Sequence, residues 1–184
     1  MPPKTRITGQ MVIDAGLEIV RFRGHEQLNV RAISEELHCS TQPVLYAYRT
    51  MEEIRNRVYQ AADSFHTAYI TQGIESSENS LLTLGLNYVR FGHEEGRLFR
   101  FLFETDHFRG MDLQTLTGDP ALADILAVLR EKADCEERAV QSLFLTLFSC
   151  VHGLASLLAN NTVQYDEAQC AEILERLYRG LTAV

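Results

Sequence analysis

The chain has 184 residues, enough for one or two compact domains that each bury a core. Its 46% hydrophobic content excludes a disordered chain, and its net charge of −8 argues at first sight against a nucleic-acid partner. The charge is unevenly spread. Residues 1–50 hold Lys4, Arg6, Arg21, Arg23, Arg31 and Arg49 against Asp14, Glu18, Glu26, Glu35 and Glu36, one net positive charge, so the remainder carries nine net negative. A near-neutral head with a basic arm on an acidic body turns the head toward a polyanion. The apolar run Leu143–Leu158 is broken by Thr146, Ser149, His152, Gly153 and Ser156, short of the ~20 residues of a membrane helix. The N-terminus with Lys4 and Arg6 leads into an amphipathic segment containing Asp14 and Glu18 rather than a signal peptide, so the expectation is a cytoplasmic protein with no membrane partner. Cys39, Cys135, Cys150 and Cys170 form no C-x-x-C pair and read as free thiols, with no metal site and no cofactor.

In chain order, almost every segment reads as helix. From Thr8 to Phe22, Val12, Ala15, Ile19 and Val20 share one face, and Gly24 supplies the stop. Asn29 is an N-cap for a short helix in which Val30, Ile33 and Leu37 form the apolar stripe. His38 stands where a tight turn needs positive φ, a role that glycine usually fills. Ser40 is an expected cap for a second short helix opened by Thr41, Gln42 and Pro43, with Tyr46 facing out and Val44, Leu45 and Tyr48 facing the head. Thr50-Met51-Glu52-Glu53 is a capping box opening a helix to about Ile70. Ser77 caps a helix to about His93, and an aromatic patch spans Arg97–Phe103. His107–Gly118 reads as a loop, and Asp119-Pro120 opens a helix to about Lys132. Asp134 with Glu137, and Asp166 with Gln169, repeat the capping spacing before two long apolar helices. The fold class is therefore all-α, about nine helices.

Residues 30–49 have the grammar of a helix-turn-helix: an apolar-faced helix, a tight turn, then a helix whose leading residues are polar and free to enter a groove. The spacing alone fits a plain helical hairpin equally well. What favours DNA is the neighbourhood of a basic arm, a capped first helix and the capping box at Thr50, whose helix N-terminus can accept a phosphate. Gln42 can pair with adenine through its amide, and Thr41 and Pro43 offer apolar surface to thymine methyls.

Residues 8 to about 58 resemble the DNA-binding domain of TetR-family regulators. The resemblance is carried by the first helix ending at Gly24, Val30-Arg31-x-Ile33-x-x-x-Leu37, Ser40-Thr-Gln-Pro before an aromatic pair, and Thr50-x-Glu-Glu-Ile54. Phe148-x-x-Val151-His152-Gly153-Leu154-Ala155 is similar to a pattern in the effector domains of some members. The resemblance implies a three-helix DNA-binding head over residues 1–50 and a helical effector-binding and dimerisation domain over 51–184. It implies a homodimeric repressor on a palindromic double-stranded operator, released by a small-molecule inducer that favours wrongly spaced heads.

Carried over residue by residue, Arg31, Thr41, Gln42 and Pro43 face the major groove. Lys4 and Arg6 reach phosphates or the minor groove, with a disordered tail as the alternative. Asn29, Ser40, Tyr46, Thr50 and Met51 lie at phosphates. For Arg31 an ion pair with Glu35 competes. Many members carry glycine at His38, tyrosine at Leu45 and lysine at Met51, so phosphate contacts pass to Tyr46 and the N–H groups of the fourth helix. Candidate pocket residues are Phe65, Tyr69, Tyr88, Phe91, Phe101, His107, Phe144 and Phe148; core packing is the alternative for each. His66 and His152, like His107, can hydrogen-bond a ligand or serve the fold. The expected dimer face is Leu143, Leu147, Val151, Gly153, Leu154, Leu158, Ile173, Leu177 and Leu181.

Two other classes stay open. A helical adaptor that binds protein and has lost DNA binding is consistent with Leu45 and Met51. A bundle enzyme has only Glu104-x-x-His107 in its favour, without the second copy a di-iron site needs, and G-x-S-x-G and H-E-x-x-H are absent, so no enzyme is expected.

Overall fold

A computed structural model describes residues 7–105, 112, 115, 117, 118, 122–133 and 136–182, with backbone alone for 124, 132, 133, 137, 138, 181 and 182. Among the described residues the fold is all-α, with nine α-helices. The chain forms two compact units: one takes the residues up to Ala68 together with Glu95–Thr105, the other takes Tyr69–Glu94 and the chain beyond Thr105.

In the first unit, helix α1 (Gly9–Arg23) begins where the Thr8 hydroxyl accepts from the Met11 N–H. It buries Val12, Ile13, Ala15, Ile19 and Val20, and it stops at Gly24, whose φ of 94° only glycine tolerates readily. A 3-10 turn at His25–Gln27 leads to α2 (Val30–Glu36). Asn29 caps α2 through Oδ1, which accepts from Ala32 N–H at 3.0 Å. Helices α3 (Thr41–Ala47) and α4 (Met51–Ile70) follow. At the start of α4 the Thr50 hydroxyl accepts from Glu53 N–H at 3.1 Å, while the Glu53 carboxylate accepts from Arg49 N–H at 3.2 Å. The capping box thus forms one residue wider than the spacing implies.

Helix α6 (Gly96–Phe103) completes this unit and buries Leu98, Phe99, Phe101 and Leu102. Just before it, the Glu95 carboxylate accepts from Arg21 Nε through both oxygens at 2.9 Å and also from Arg21 Nη2. The Arg21 guanidinium lies 5.0 Å from the Phe65 ring centroid, so an aromatic surface lines one side of this ion pair. The Tyr59 hydroxyl donates to the Leu102 carbonyl at 3.2 Å, and burial pushes its pKa up to about 12. His66 is buried edge-on to Phe103, with ring centroids 5.3 Å apart.

The second unit contains α5 (Ser80–Glu94), α7 (Ala123–Ala133), α8 (Glu137–Ala159) and α9 (Glu167–Thr182). Ser77 does not cap α5. Asn79 does, its Oδ1 accepting from Leu82 N–H at 3.2 Å, while the Ser77 hydroxyl accepts from Asn79 N–H. Two nearby polar residues competed for one cap, and the one adjacent to the helix took it. Leu126, Leu129, Val140, Leu143 and Phe144 form one buried cluster; Val89, Leu158, Cys170 and Leu174 form another. Asn87, buried in α5, donates to the carbonyls of Ile70 and Gln72 and satisfies the end of α4. The α8–α9 turn carries Asn161 at φ 54°, with Asn161 N–H bonded to Leu158 O and Thr162 N–H to Leu157 O. The Asp166 carboxylate then accepts from Gln169 N–H at 3.0 Å, as the capping spacing predicts.

Helix α8 departs from one expectation. The stretch Ala139–Ala159 has a mean hydropathy of 1.8, long and apolar enough by length and composition to cross a membrane, and is only 28% buried. Its isolated threonine, serine and histidine residues do not offset the leucines and phenylalanines around them.

Helices α5 and α8 approach backbone to backbone at Gly92, where a Cβ would lie 2.6 Å from the Ala155 carbonyl oxygen. Gly92→Ala is expected to destabilise the protein by roughly 1–3 kcal/mol, read as a lowered urea midpoint; an unchanged midpoint would refute the close approach. Burial also lowers the His66 pKa from its ordinary 6.5 to about 4. Between those values the unfolded chain binds a proton that the folded chain does not, so stability is lost as pH falls from 6.5 toward 4. The loss at this site approaches about 3 kcal/mol. Denaturation of the wild type and His66→Leu at pH 7.5 and 4.5 checks this, and equal losses in the two proteins would contradict it.

Candidate nucleic-acid interface

The geometry of the interface begins at the end of α2. His38 takes φ 49°, the left-handed conformation expected of the turn position. Its N–H bonds to Glu35 O at 3.2 Å, and Cys39 N–H bonds to Ser34 O at 2.9 Å. This pair of bonds is a Schellman closure, which satisfies the last carbonyls of α2 and turns the chain sharply into α3. Ser34 is itself buried, its hydroxyl donating back to Val30 O at 2.7 Å. Its polar group is therefore satisfied inside α2, which packs on α3.

Helix α3 buries Val44 completely. Thr41, Gln42, Leu45 and Tyr46 are exposed, and Pro43 is half-buried. Tyr46 is 81% exposed, as an outward role requires. Leu45 is not packed inside the head: it is 45% exposed. With Val44 at the centre of the buried face, Leu45 sits 100° around the helix and falls on the outer one. Ser40 occupies the N-cap position with extended backbone, but its side chain makes no capping bond. It is exposed.

The remaining candidate contacts divide by how far their polar groups are already used. Arg31 is 86% exposed, yet its Nε lies 3.1 Å from the Glu35 carboxylate. An ion pair this exposed is worth little and separates easily. Asn29 accepts from Ala32 N–H through Oδ1 and donates through Nδ2 to Gln27 O at 3.0 Å. Thr50 is exposed with its hydroxyl in the cap, and Met51 is half-buried. Lys4 and Arg6 lie outside the described residues.

The candidate pocket residues fall in both units. Phe65 and Phe101 belong to the first, where Phe101 is buried beside Tyr59 and His25. Tyr69, Tyr88, Phe91, Phe144 and Phe148 belong to the second. There Tyr88 is buried with its hydroxyl 3.0 Å from His152 Nδ1. Phe148 stacks on Phe144 at 5.7 Å and meets Tyr88 edge-on at 6.1 Å. Burial raises the Tyr88 pKa far above its ordinary value, which keeps the phenol neutral. Tyr69 pairs with Phe91 at 5.4 Å and reaches the Glu94 carboxylate at 2.5 Å. His107 lies outside the described residues.

Along α8 and α9, Leu143 and Leu158 are buried in the clusters within the chain. Leu147, Val151, Leu154 and Leu177 are half-buried; Gly153 and Ile173 are exposed. The side chain of Leu181 is not described. Leu157, absent from the sequence reading, is an exposed large apolar residue of the same helix. An open groove of about 600 Å³ runs over Cys150, Glu172, Ile173, Arg176 and Leu177. Burial raises the Cys150 thiol pKa, so it is not an activated thiolate. Among the described residues, no group of three or more His, Cys, Asp or Glu could hold a metal ion.

Residues 81–181 match the family model described as tetracyclin repressor-like, C-terminal domain. No curated protein matches the chain. Among solved structures, a TetR-like transcriptional regulator from Rhodococcus sp. RHA1 has a similar fold, at a TM-score of 0.62 and 16% identity over 100% of both chains. The family match covers more than half of the chain, and the chain belongs to the TetR family.

The cap at Asn29 yields a direct check. Asn29→Ala is expected to cost about 1 kcal/mol of stability, whereas Asn29→Asp, which keeps an acceptor at the same place, stays within a few tenths. Thermal melts of the two variants measure this, and equal losses would show that the cap is not the source.

Proposed function

We propose that this protein is a DNA-binding transcriptional regulator, a homodimeric and ligand-responsive repressor acting on a palindromic operator in the cytoplasm. The observation that carries the reading is the outward face of α3. Thr41, Gln42 and Tyr46 are exposed on it, beyond the His38 turn. In this reading residues 1–50 form the DNA-binding head and residues 51–184 the effector-binding and dimerisation body. Gln42 and Thr41, with Pro43 behind them, address base edges. Arg31 leaves Glu35 for the DNA, and Ser40, Tyr46 and the N-terminus of α4 at Thr50 and Met51 take phosphates. Asn29 keeps its capping duty while it approaches the backbone, and Lys4 and Arg6 form the basic arm.

A second copy is needed because one head reads only a half-site, and two heads about 34–36 Å apart match successive major grooves. The sparsely buried apolar stretch of α8, with the exposed Leu157 and Ile173, supports α8 and α9 as the surface that a second copy covers. The cluster of Tyr88, Phe144, Phe148 and His152 supports an inducer site in the body, with aromatic walls and one polar pair. An inducer bound there would shift the population away from the operator-competent spacing.

Gel shift with the DNA upstream of the protein's own gene, followed by footprinting, tests the reading. A symmetric footprint is expected, with affinity that falls steeply between 50 and 200 mM salt, on the order of 10³-fold for six or more phosphate contacts. Gln42→Ala is expected to weaken binding by roughly 1–3 kcal/mol while leaving the melting temperature unchanged. Binding that ignores both the substitution and salt would remove α3 from the interface.

A further inference from the structure

Helix α3, Thr-Gln-Pro-Val-Leu-Tyr-Ala, carries no charged side chain. That composition restricts what the helix can read. Guanine is recognised most often by Arg or Lys on O6 and N7, and cytosine by Asp or Glu on its amino group. Neither pairing is open to α3. What it does offer outward is the carboxamide of Gln42, the small hydroxyl of Thr41, the phenol of Tyr46 and the apolar side chain of Leu45, with Pro43 half-buried beside them. A carboxamide suits the N6 and N7 of adenine, and an apolar side chain suits the C5 methyl of thymine.

The placement makes the second contact specific. Gln42 and Leu45 are three residues apart and therefore neighbours on one helical face, while Thr41 stands one turn before Leu45. Leu45 thus lies between the two leading polar residues and the more exposed Tyr46. Val44 fills the packing position completely, so Leu45 has no core to join and stays 45% exposed. Its exposure follows from the helix geometry and leaves an apolar tip on the same face as Gln42.

We propose that Leu45 is a specificity-determining residue: it reads the C5 methyl of a thymine in each half-site, beside the adenine addressed by Gln42, so that α3 selects A·T pairs. This inference rests on the DNA-binding reading above and adds a residue and a base to it.

Duplexes selected by the protein from a random-sequence pool provide the probe. Each thymine of a half-site is replaced in turn by deoxyuridine, which removes the methyl and leaves base pairing intact. For the wild type, at least one position per half-site, the one beside the adenine of Gln42, is expected to lose affinity by about fourfold, the factor for about 0.8 kcal/mol on burying one methylene-sized group. Leu45→Ala is expected to bind the thymine and deoxyuridine duplexes equally at that position and to keep the wild-type response elsewhere. Because Leu45 is not in the core, its melting curve should match the wild type. Specific binding with no methyl-sensitive thymine, or with every methyl-sensitive position unchanged by Leu45→Ala, overturns the Leu45 assignment alone. Failure to select or retain any duplex overturns it together with the DNA-binding reading.

Discussion

The direction of α3 depends on two backbone hydrogen bonds, His38 N–H to Glu35 O and Cys39 N–H to Ser34 O. They close α2 by the geometry that a left-handed residue permits, and the chain leaves at an angle that puts Val44 inward and Thr41, Gln42, Leu45 and Tyr46 outward. Histidine in that conformation is strained relative to glycine by about 1 kcal/mol. The rest of the head fixes the same angle: Asn29 sets where α2 begins, the buried Ser34 satisfies its own hydroxyl, and the Thr50–Glu53 box sets where α4 begins.

The polar groups near α3 serve two ends. Asn29 and Thr50 are engaged in caps, and Arg31 is held by Glu35 on an exposed surface. For Arg31 the engagement is weak, since an exposed ion pair contributes at most about 1 kcal/mol and is screened by salt. In the proposed reading, a phosphate or base edge draws Arg31 away from Glu35 at little cost. Asn29 is different, because its cap holds α2 in place and its removal disturbs the scaffold before it touches any partner. A mutational survey of this surface therefore has to separate loss of fold from loss of contact, and melting curves make that separation.

In the second unit, the packing concentrates apolar area on two clusters and leaves part of α8 uncovered. Close approach of α5 and α8 at Gly92 and Ala155 buries one side of α8, and Leu143 and Leu158 are drawn into the interior of this unit. A Cβ placed on Gly153, by contrast, would meet nothing within 4 Å among the described residues. Small residues on the same helix thus have different environments: Ala155 is buried against α5 and Gly153 is exposed.

Local features were legible in the sequence because their physics is local. The stop at Gly24, the cap at Asn29, the positive φ at His38, and the caps at Thr50 and Asp166 involve residues within a few positions of each other, and the structure has each of them. The all-α class and the number of helices followed from periodicity in the same way. What only the tertiary structure decided was which of two plausible neighbours is used and which side of a helix is covered. Asn79 rather than Ser77 caps α5, Leu45 turns outward although its composition suits a core, and Leu143 and Leu158 go inward although their stripe suits an interface. Those outcomes depend on packing between segments distant in the chain, and apolar character alone does not say which surface an apolar side chain will meet.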